Sequence, residues 1–220
     1  MIEPASALRD IRNRIAAAAK LARRKADDVT LIAISKTHGA DRIAPLIAAG
    51  QRAFGENRVQ EAQGKWPALR EVYPAIELHL VGQLQSNKAE DAVRMFDCIH
   101  ALDRPSLVTA LAKAMDKGGR QVPCFVQVNI GAEDQKGGCA IGDVPSLLAA
   151  ARGAGVPVSG LMCVPPAGIE AAPFFALLAK MADDYGLAGL SMGMSDDFET
   201  AVMLGATHVR VGRALFGGRG

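Results

Sequence analysis

VTLIAISKT, residues 29–37, is the stretch from which the rest of the chain can be read. Val29, Leu31, Ile32, Ala33 and Ile34 run with Thr30 as the single polar interruption and stop at Ser35-Lys36. A run that is apolar on both alternations is the pattern of a parallel strand covered on both faces. Lys36 therefore stands where a buried strand ends. Lysine is seldom taken indoors without a partner or a task. Partial burial disfavours an ammonium, and the neutral amine is the form that attacks a carbonyl. Two readings stay open on this stretch alone: Lys36 snorkels to solvent, or it forms a Schiff base with a carbonyl cofactor.

Seven further apolar runs follow at intervals that leave room for a helix between each pair. They are 52–55, 77–81, 97–101, 123–130, 158–164, 187–191 and 207–211. The intervening segments predict helices over 41–49, 59–72, 88–95, 105–117, 144–152, 172–185 and 196–204, with Ser195 as the N-cap of the last. Pro45 must fall in a first turn to be tolerated, and Pro67 should break or kink its helix. Eight short strands alternating with helices are the signature of a (β/α)8 TIM barrel in the α/β class. An open doubly wound sheet is the competing architecture, but SKTHGAD follows the first strand where a glycine-rich dinucleotide fingerprint would stand. Only nine residues follow the eighth strand, whereas residues 3–25 place Leu8, Ile11, Ile15, Ala18 and Ala22 on one helical face. This extra N-terminal helix is expected to cover the gap beside the last strand. The expectation is one domain over residues 1–220.

Composition narrows the function classes. Lys plus Arg number 25 against 23 Asp plus Glu, a net charge of +2 that offers no case for nucleic acid. Seven basic residues crowd the first 25 positions, which reads as a solvated helix face. Cys98, Cys124, Cys139 and Cys163 lack metal-ligand spacing and read as small core residues in a reducing compartment. No apolar run approaches a membrane span and the N-terminus lacks a signal-peptide core, so the expectation is a soluble cytoplasmic protein.

In such barrels the site lies at the C-terminal ends of the strands. Those ends carry Lys36, Glu56-Asn57, Gly82-Gln83, Asp103, Asn129, Met162, the run Ser191 to Ser195, and Arg210-Val211-Gly212. His38, His79, His100 and His208 are scattered in sequence and suggest no metal site; His79 and His100, inside strands, read as satisfied core residues. SMGMSDD and VGRALFGG, after strands seven and eight, offer glycines and backbone N–H groups suited to a phosphate. Asp196 and Asp197 could instead simply complement the helix dipole there.

The fragments ISKTHGADRI, AFGENRVQEAQGK, LHLVGQLQSNK, VNIGAEDQKGG, GLMCVPP, SMGMSDDFETAVMLGATHVRVG and ALFG, in this order, resemble the pyridoxal phosphate homeostasis proteins. The resemblance covers nearly the whole chain. It implies pyridoxal 5′-phosphate (PLP) as cofactor and a barrel like the N-terminal domain of alanine racemase, PLP fold type III, without a second domain. By position it implies Lys36 as the Schiff-base lysine and Arg210 opposite the pyridine nitrogen. Ser191, Gly193 and Met194, with Gly212, Arg213 and Ala214, fall at the phosphate, while Asn57 and Met162 line the ring. Two departures stand out: Arg213 replaces a small hydroxyl residue, and His38-Gly39 replaces a proline-containing turn.

The resemblance further implies that alanine racemase adds a tyrosine base from a second domain of its partner subunit. Here Tyr73 and Tyr185 are the only tyrosines, both at ends of expected helices. The expectation is therefore a non-catalytic monomer that holds PLP and passes it to apo-enzymes. The alternative is a PLP-dependent amino-acid racemase or lyase.

Overall fold

Alternating apolar runs and amphipathic segments build a closed, all-parallel barrel in a computed structural model that describes residues 4–217. Its strands are β1 (Thr30–Ile34), β2 (Ala53–Glu56), β3 (Glu77–Leu80), β4 (Cys98–Leu102), β5 (Cys124–Val128), β6 (Val158–Cys163), β7 (Gly189–Ser191) and β8 (His208–Val211). Each pairs with the next, and β8 closes on β1 with Thr30 opposite His208 and Ala33 opposite Val211. The expected barrel is thus the observed one. Between the strands lie α2 (Ala40–Ala48), α3 (Val59–Val72), α4 (Ala89–Met95), α5 (Pro105–Gly118), α6 (Val144–Gly153), α7 (Ala172–Asp184) and α8 (Phe198–Met203). Flanking them are α1 (Pro4–Leu21) and the single turn α9 (Arg213–Phe216).

The extra helix α1 does fill the seam. It buries Leu8, Ile11, Ile15 and Ala18 against α2, α8 and α9. It ends at Leu21 rather than at 25, because Arg23 takes a left-handed φ of 56° and Arg24 N–H reaches back to Ala19 O at 2.8 Å. That 6→1 bond closes the helix. Its expected first residue, Glu3, lies outside the described residues. The basic cluster is not merely solvated: Arg14 forks onto Glu199 (3.1 and 2.8 Å) and covers the Phe198 ring, and Arg24 donates to Val202 O at 2.9 Å. These contacts dock α1 onto α8.

Three local expectations need correction. Pro45 sits in the second turn of α2, not the first, as the sixth residue of a helix that begins at Ala40. Helix α3 runs unbroken past Pro67, since Trp66 is wholly buried, 5.2 Å from Phe54, and its Nε1 donates to Glu56 Oε1 at 3.0 Å. Burying such a side chain is worth about 1.5–3 kcal/mol, and tertiary packing of this kind offsets the hydrogen bond a proline removes. Helix α8 starts at Phe198, and Ser195 does not cap it: Asp197 Oδ1 accepts the Met194 N–H at 2.5 Å and holds the chain in a turn beforehand.

Strand alternation separates two cores. Leu31 and Ala33 of β1, Phe54 of β2, Leu78 and Leu80 of β3, and Val209 and Val211 of β8 belong to the large apolar core beneath the helices. The opposite parity faces the barrel axis, and there Cys98, Phe125 and Met162 pack together as a separate cluster. The same interior holds His79, His100, Gln127, Ser191 and Arg210, all buried. Barrel interiors are ordinarily filled by branched apolar side chains. This one is polar, and its polar groups point to chemistry rather than packing. The cysteines behave as expected of small buried residues, with burial pushing the thiols of Cys124 and Cys163 up to about 12. No helix among the described residues is long and apolar enough to cross a membrane.

Candidate functional site

Beyond β1 the chain reverses through Ser35–His38, with His38 N–H donating to Ser35 O at 3.1 Å. Thr37, adjacent to Lys36, takes a left-handed φ of 65°, which costs a non-glycine residue about 1 kcal/mol or more. The turn is held by groups from α3. Thr37 N–H donates to the Glu61 carboxylate, while Lys65 Nζ donates to Ser35 O at 2.8 Å and His38 O at 3.0 Å. The same ammonium lies 2.8 Å from Glu56 Oε1, which also accepts from Ser35 Oγ at 2.6 Å. An ion pair therefore sits beneath the lysine turn. Lys36 itself is half-buried and opens into a cavity of about 460 Å³ at the C-terminal mouth of the barrel.

That cavity brings Lys36, Met194, Arg210, Gly212 and Arg213 together, five of the residues expected there. It adds Ser195 and Gly217, from the two loops read as phosphate candidates, and Ile34, Thr37 and His38, which sequence reasoning did not assign to the site. His38 stacks on Phe216 with ring centroids 4.4 Å apart, pinning the lysine turn to α9. Burial, then the nearby Arg42 and Lys65 charges, push its imidazole below the usual histidine range. Arg42 adds a 2.5 Å bond to Phe216 O.

Arg210 is buried at the floor of the cavity. Its Nη1 donates to Ser191 Oγ at 2.7 Å and its Nη2 to Cys163 O at 2.8 Å. Both bonds fix the plane of the guanidinium, which has donors only. Above it, Gly193 has a φ of 92°, and a Cβ there would lie 2.5 Å from Ala201 Cβ. Only glycine suits that bend. Its carbonyl accepts from Arg210 N–H at 2.9 Å, tying the loop after β7 to β8.

The other expected residues fall elsewhere. Ser191 is fully buried inside β7, with its Oγ held by Arg210 and, at 2.8 Å, by His100 Nδ1. Met162 is buried among Cys98 and Phe125. Asn57 lines a neighbouring depression with Gly82, Gln83 and Lys88. Ala214 donates weakly from its N–H to Ser195 Oγ at 3.5 Å. Arg213, already placed in the cavity wall, also forms an exposed ion pair with Asp196 over the loop. Asp197 is engaged by Met194 N–H; burial raises its carboxyl above the usual range.

The histidines are not scattered in space. His79, His100 and His208 meet inside the barrel with centroids 5.2–6.1 Å apart, because alternation turns all three inward. His79 Nδ1 and His100 Nε2 share a 3.0 Å hydrogen bond. His100 is thus a satisfied core residue as expected, whereas His79 Nε2 is buried without a hydrogen-bond partner.

The alanine racemase N-terminal domain family model matches residues 7–220. The pyridoxal phosphate homeostasis protein of Pseudomonas aeruginosa is 39% identical over 212 residues, covering 94% of this chain and 91% of the relative. Its Escherichia coli counterpart is 36% identical over 222 residues, covering 96% and 95%. The chain belongs to the pyridoxal phosphate homeostasis protein family. A family structure, PipY of Synechococcus elongatus with PLP bound, superposes with a TM-score of 0.79 at 38% identity, covering 92% of this chain and all of PipY. Alanine racemase of Clostridium difficile shares the fold alone, with a TM-score of 0.71 at 16% identity; this chain covers 57% of it. The family is therefore built on the racemase barrel.

Proposed function

We propose that this protein binds PLP as a Schiff base on Lys36 and serves intracellular PLP homeostasis as a non-catalytic carrier. The observation that carries the reading is one cavity holding the Lys36 amine, the Arg210 guanidinium, the Ser195 hydroxyl and the glycine-bearing loops after β7 and β8. These groups fit an aldehyde, an aromatic nitrogen and a phosphate. The PLP-bound PipY structure supports the same ligand class.

Bound PLP supplies an electrophilic carbonyl and an electron-withdrawing ring. The residues of this chain restrain that chemistry. Arg210, anchored on Ser191 Oγ and Cys163 O, offers the ring nitrogen no acid or carboxylate to keep it protonated. Lys65 and Glu61 hold the turn so that the Lys36 amine faces the cavity. Gly193 and Gly212 leave the backbone of both loops accessible to a phosphate. Tyr73 and Tyr185 follow the C-terminal ends of α3 and α7, at the barrel mouth opposite Lys36, and cannot serve as a second base.

The enzymatic reading, a racemase or lyase, would have to use His38, the imidazole in the cavity wall. Borohydride reduction of the PLP-loaded protein followed by peptide mass spectrometry should give a phosphopyridoxyl adduct on Lys36; its absence from Lys36 refutes the proposal. Amino acids added to the loaded protein should show no sustained turnover, and steady racemisation that disappears in His38→Asn would replace the carrier by an enzyme. The reading also includes a monomer in solution that delivers PLP to apo-enzymes. A dimeric mass by light scattering would contradict the first part, and failure to reactivate an apo-enzyme the second.

A further inference from the structure

At the opposite mouth of the barrel, the N-terminal ends of β3, β4, β5, β7 and β8 surround a second cavity of about 590 Å³. Glu77, His79, Cys98 and His208 line it, and nothing in PLP binding at Lys36 uses them. His79 and Cys98 are register partners on β3 and β4, so their side chains project side by side toward the axis. His100 lies two residues further along β4, on the same face. The ligand-capable atoms of His79, Cys98 and His100 all lie within 4.8 Å of one another.

We propose that His79, Cys98 and His100 form a binding site for a zinc-class divalent cation, entered through this cavity. Two imidazoles and a thiolate are the donor set that such borderline-soft ions prefer, and three protein ligands leave a fourth position for water from the cavity. The ion would take the place of the proton shared by His79 Nδ1 and His100 Nε2, now 3.0 Å apart. Tetrahedral zinc holds two donors about 3.3–3.6 Å apart, so adjustments of about an ångström complete the site.

The outer partners that a metal-bound histidine needs are already in place. His100 Nδ1 lies 2.8 Å from Ser191 Oγ, and the buried His79 Nε2 faces the Glu77 carboxylate, 3.8 Å from Oε2. Ligating histidines characteristically turn their second nitrogen to a carboxylate or hydroxyl in this way. An unpartnered buried imidazole nitrogen is costly in an apolar site; the charge of a bound cation would polarise an N–H there and draw it toward Glu77. The proton now shared between the two rings moves to the outer nitrogen of the ring that carries it, freeing His79 Nδ1 and His100 Nε2 for the ion. Cys98 loses its thiol proton to solvent, so one proton leaves per ion bound.

Cobalt(II) titrated into the full-length, reduced, chelator-treated protein tests the site. The expected result is about one equivalent bound with a thiolate-to-cobalt charge-transfer band, bleached by added zinc, with about one proton released per ion. Cys98→Ser should abolish the band. His79→Gln should weaken zinc binding by about tenfold or more, with circular dichroism showing an intact fold. Cys124→Ser, whose thiol packs in the outer core, should leave the band in place. The proposal is overturned if the wild-type protein gives no charge-transfer band, if the band survives in Cys98→Ser, or if it depends on Cys124. These readouts do not involve PLP, so they stand or fall separately from the role of Lys36.

Discussion

Lys65 places its ammonium 2.8 Å from Glu56 Oε1 directly beneath the turn that presents Lys36, and both members of the pair are largely buried. Neither touches the cavity that Lys36 opens into. Their importance lies in what they hold: Lys65 bonds two carbonyls of the turn, and Glu56 bonds the serine before Lys36. Removing one member leaves an uncompensated charge beneath the site. Lys65→Met should therefore destabilise the protein by about 3–5 kcal/mol, read as a lower urea midpoint. It should also slow PLP capture by Lys36. Normal stability with normal capture would show the pair to be dispensable.

Ser191 was expected at the phosphate, yet its Oγ joins Arg210 to His100 inside the barrel. Ser191→Ala should cost about 1–3 kcal/mol of stability, because two buried polar groups lose their partner. The accompanying change should appear in the absorption of bound PLP, through a looser Arg210, more than in PLP affinity. A large loss of affinity with unchanged stability would return Ser191 to the phosphate.

Acid should destabilise the fold before most carboxylates titrate. Burial lowers His208 to about 4 and His100 well below 6.5, the usual histidine value. The unfolded chain therefore binds protons that the folded chain refuses. The stability this represents is intact above pH 6.5 and is lost as pH falls from there toward 4, at about 1.4 kcal/mol per pH unit for each such histidine. Urea midpoints measured across that range should fall steadily. His208→Gln should reduce the slope by about one proton.

Gly193→Ala should be more damaging than its single methyl suggests. The residue combines a φ of 92° with a Cβ position 2.5 Å from Ala201 Cβ and 3.0 Å from Phe198 Cα. Strain and overpacking together predict a loss of about 2–4 kcal/mol. The melting temperature should drop, and the residual folded protein should bind PLP poorly because the loop after β7 has moved. A melting temperature within a degree of wild type would contradict the clash.

By itself, the sequence determined the barrel, the position of Lys36 at its mouth and the use of α1 to close the seam. Each follows from local periodicity: the apolar runs such as 29–34 leave one arrangement in which every strand is covered on both faces. The fragments around Lys36 and Arg210 were equally legible, since they lie at strand ends that any such barrel gathers together. Tertiary structure alone decided which side chains share a space. Glu61 and Lys65, four residues apart on α3, look in sequence like an ordinary surface pair, and only the crossing of α3 under the β1 turn buries them. The isolated histidines became a cluster because strand parity turned His79, His100 and His208 to one axis, a relation between strands 20 to 130 residues apart that no local pattern encodes.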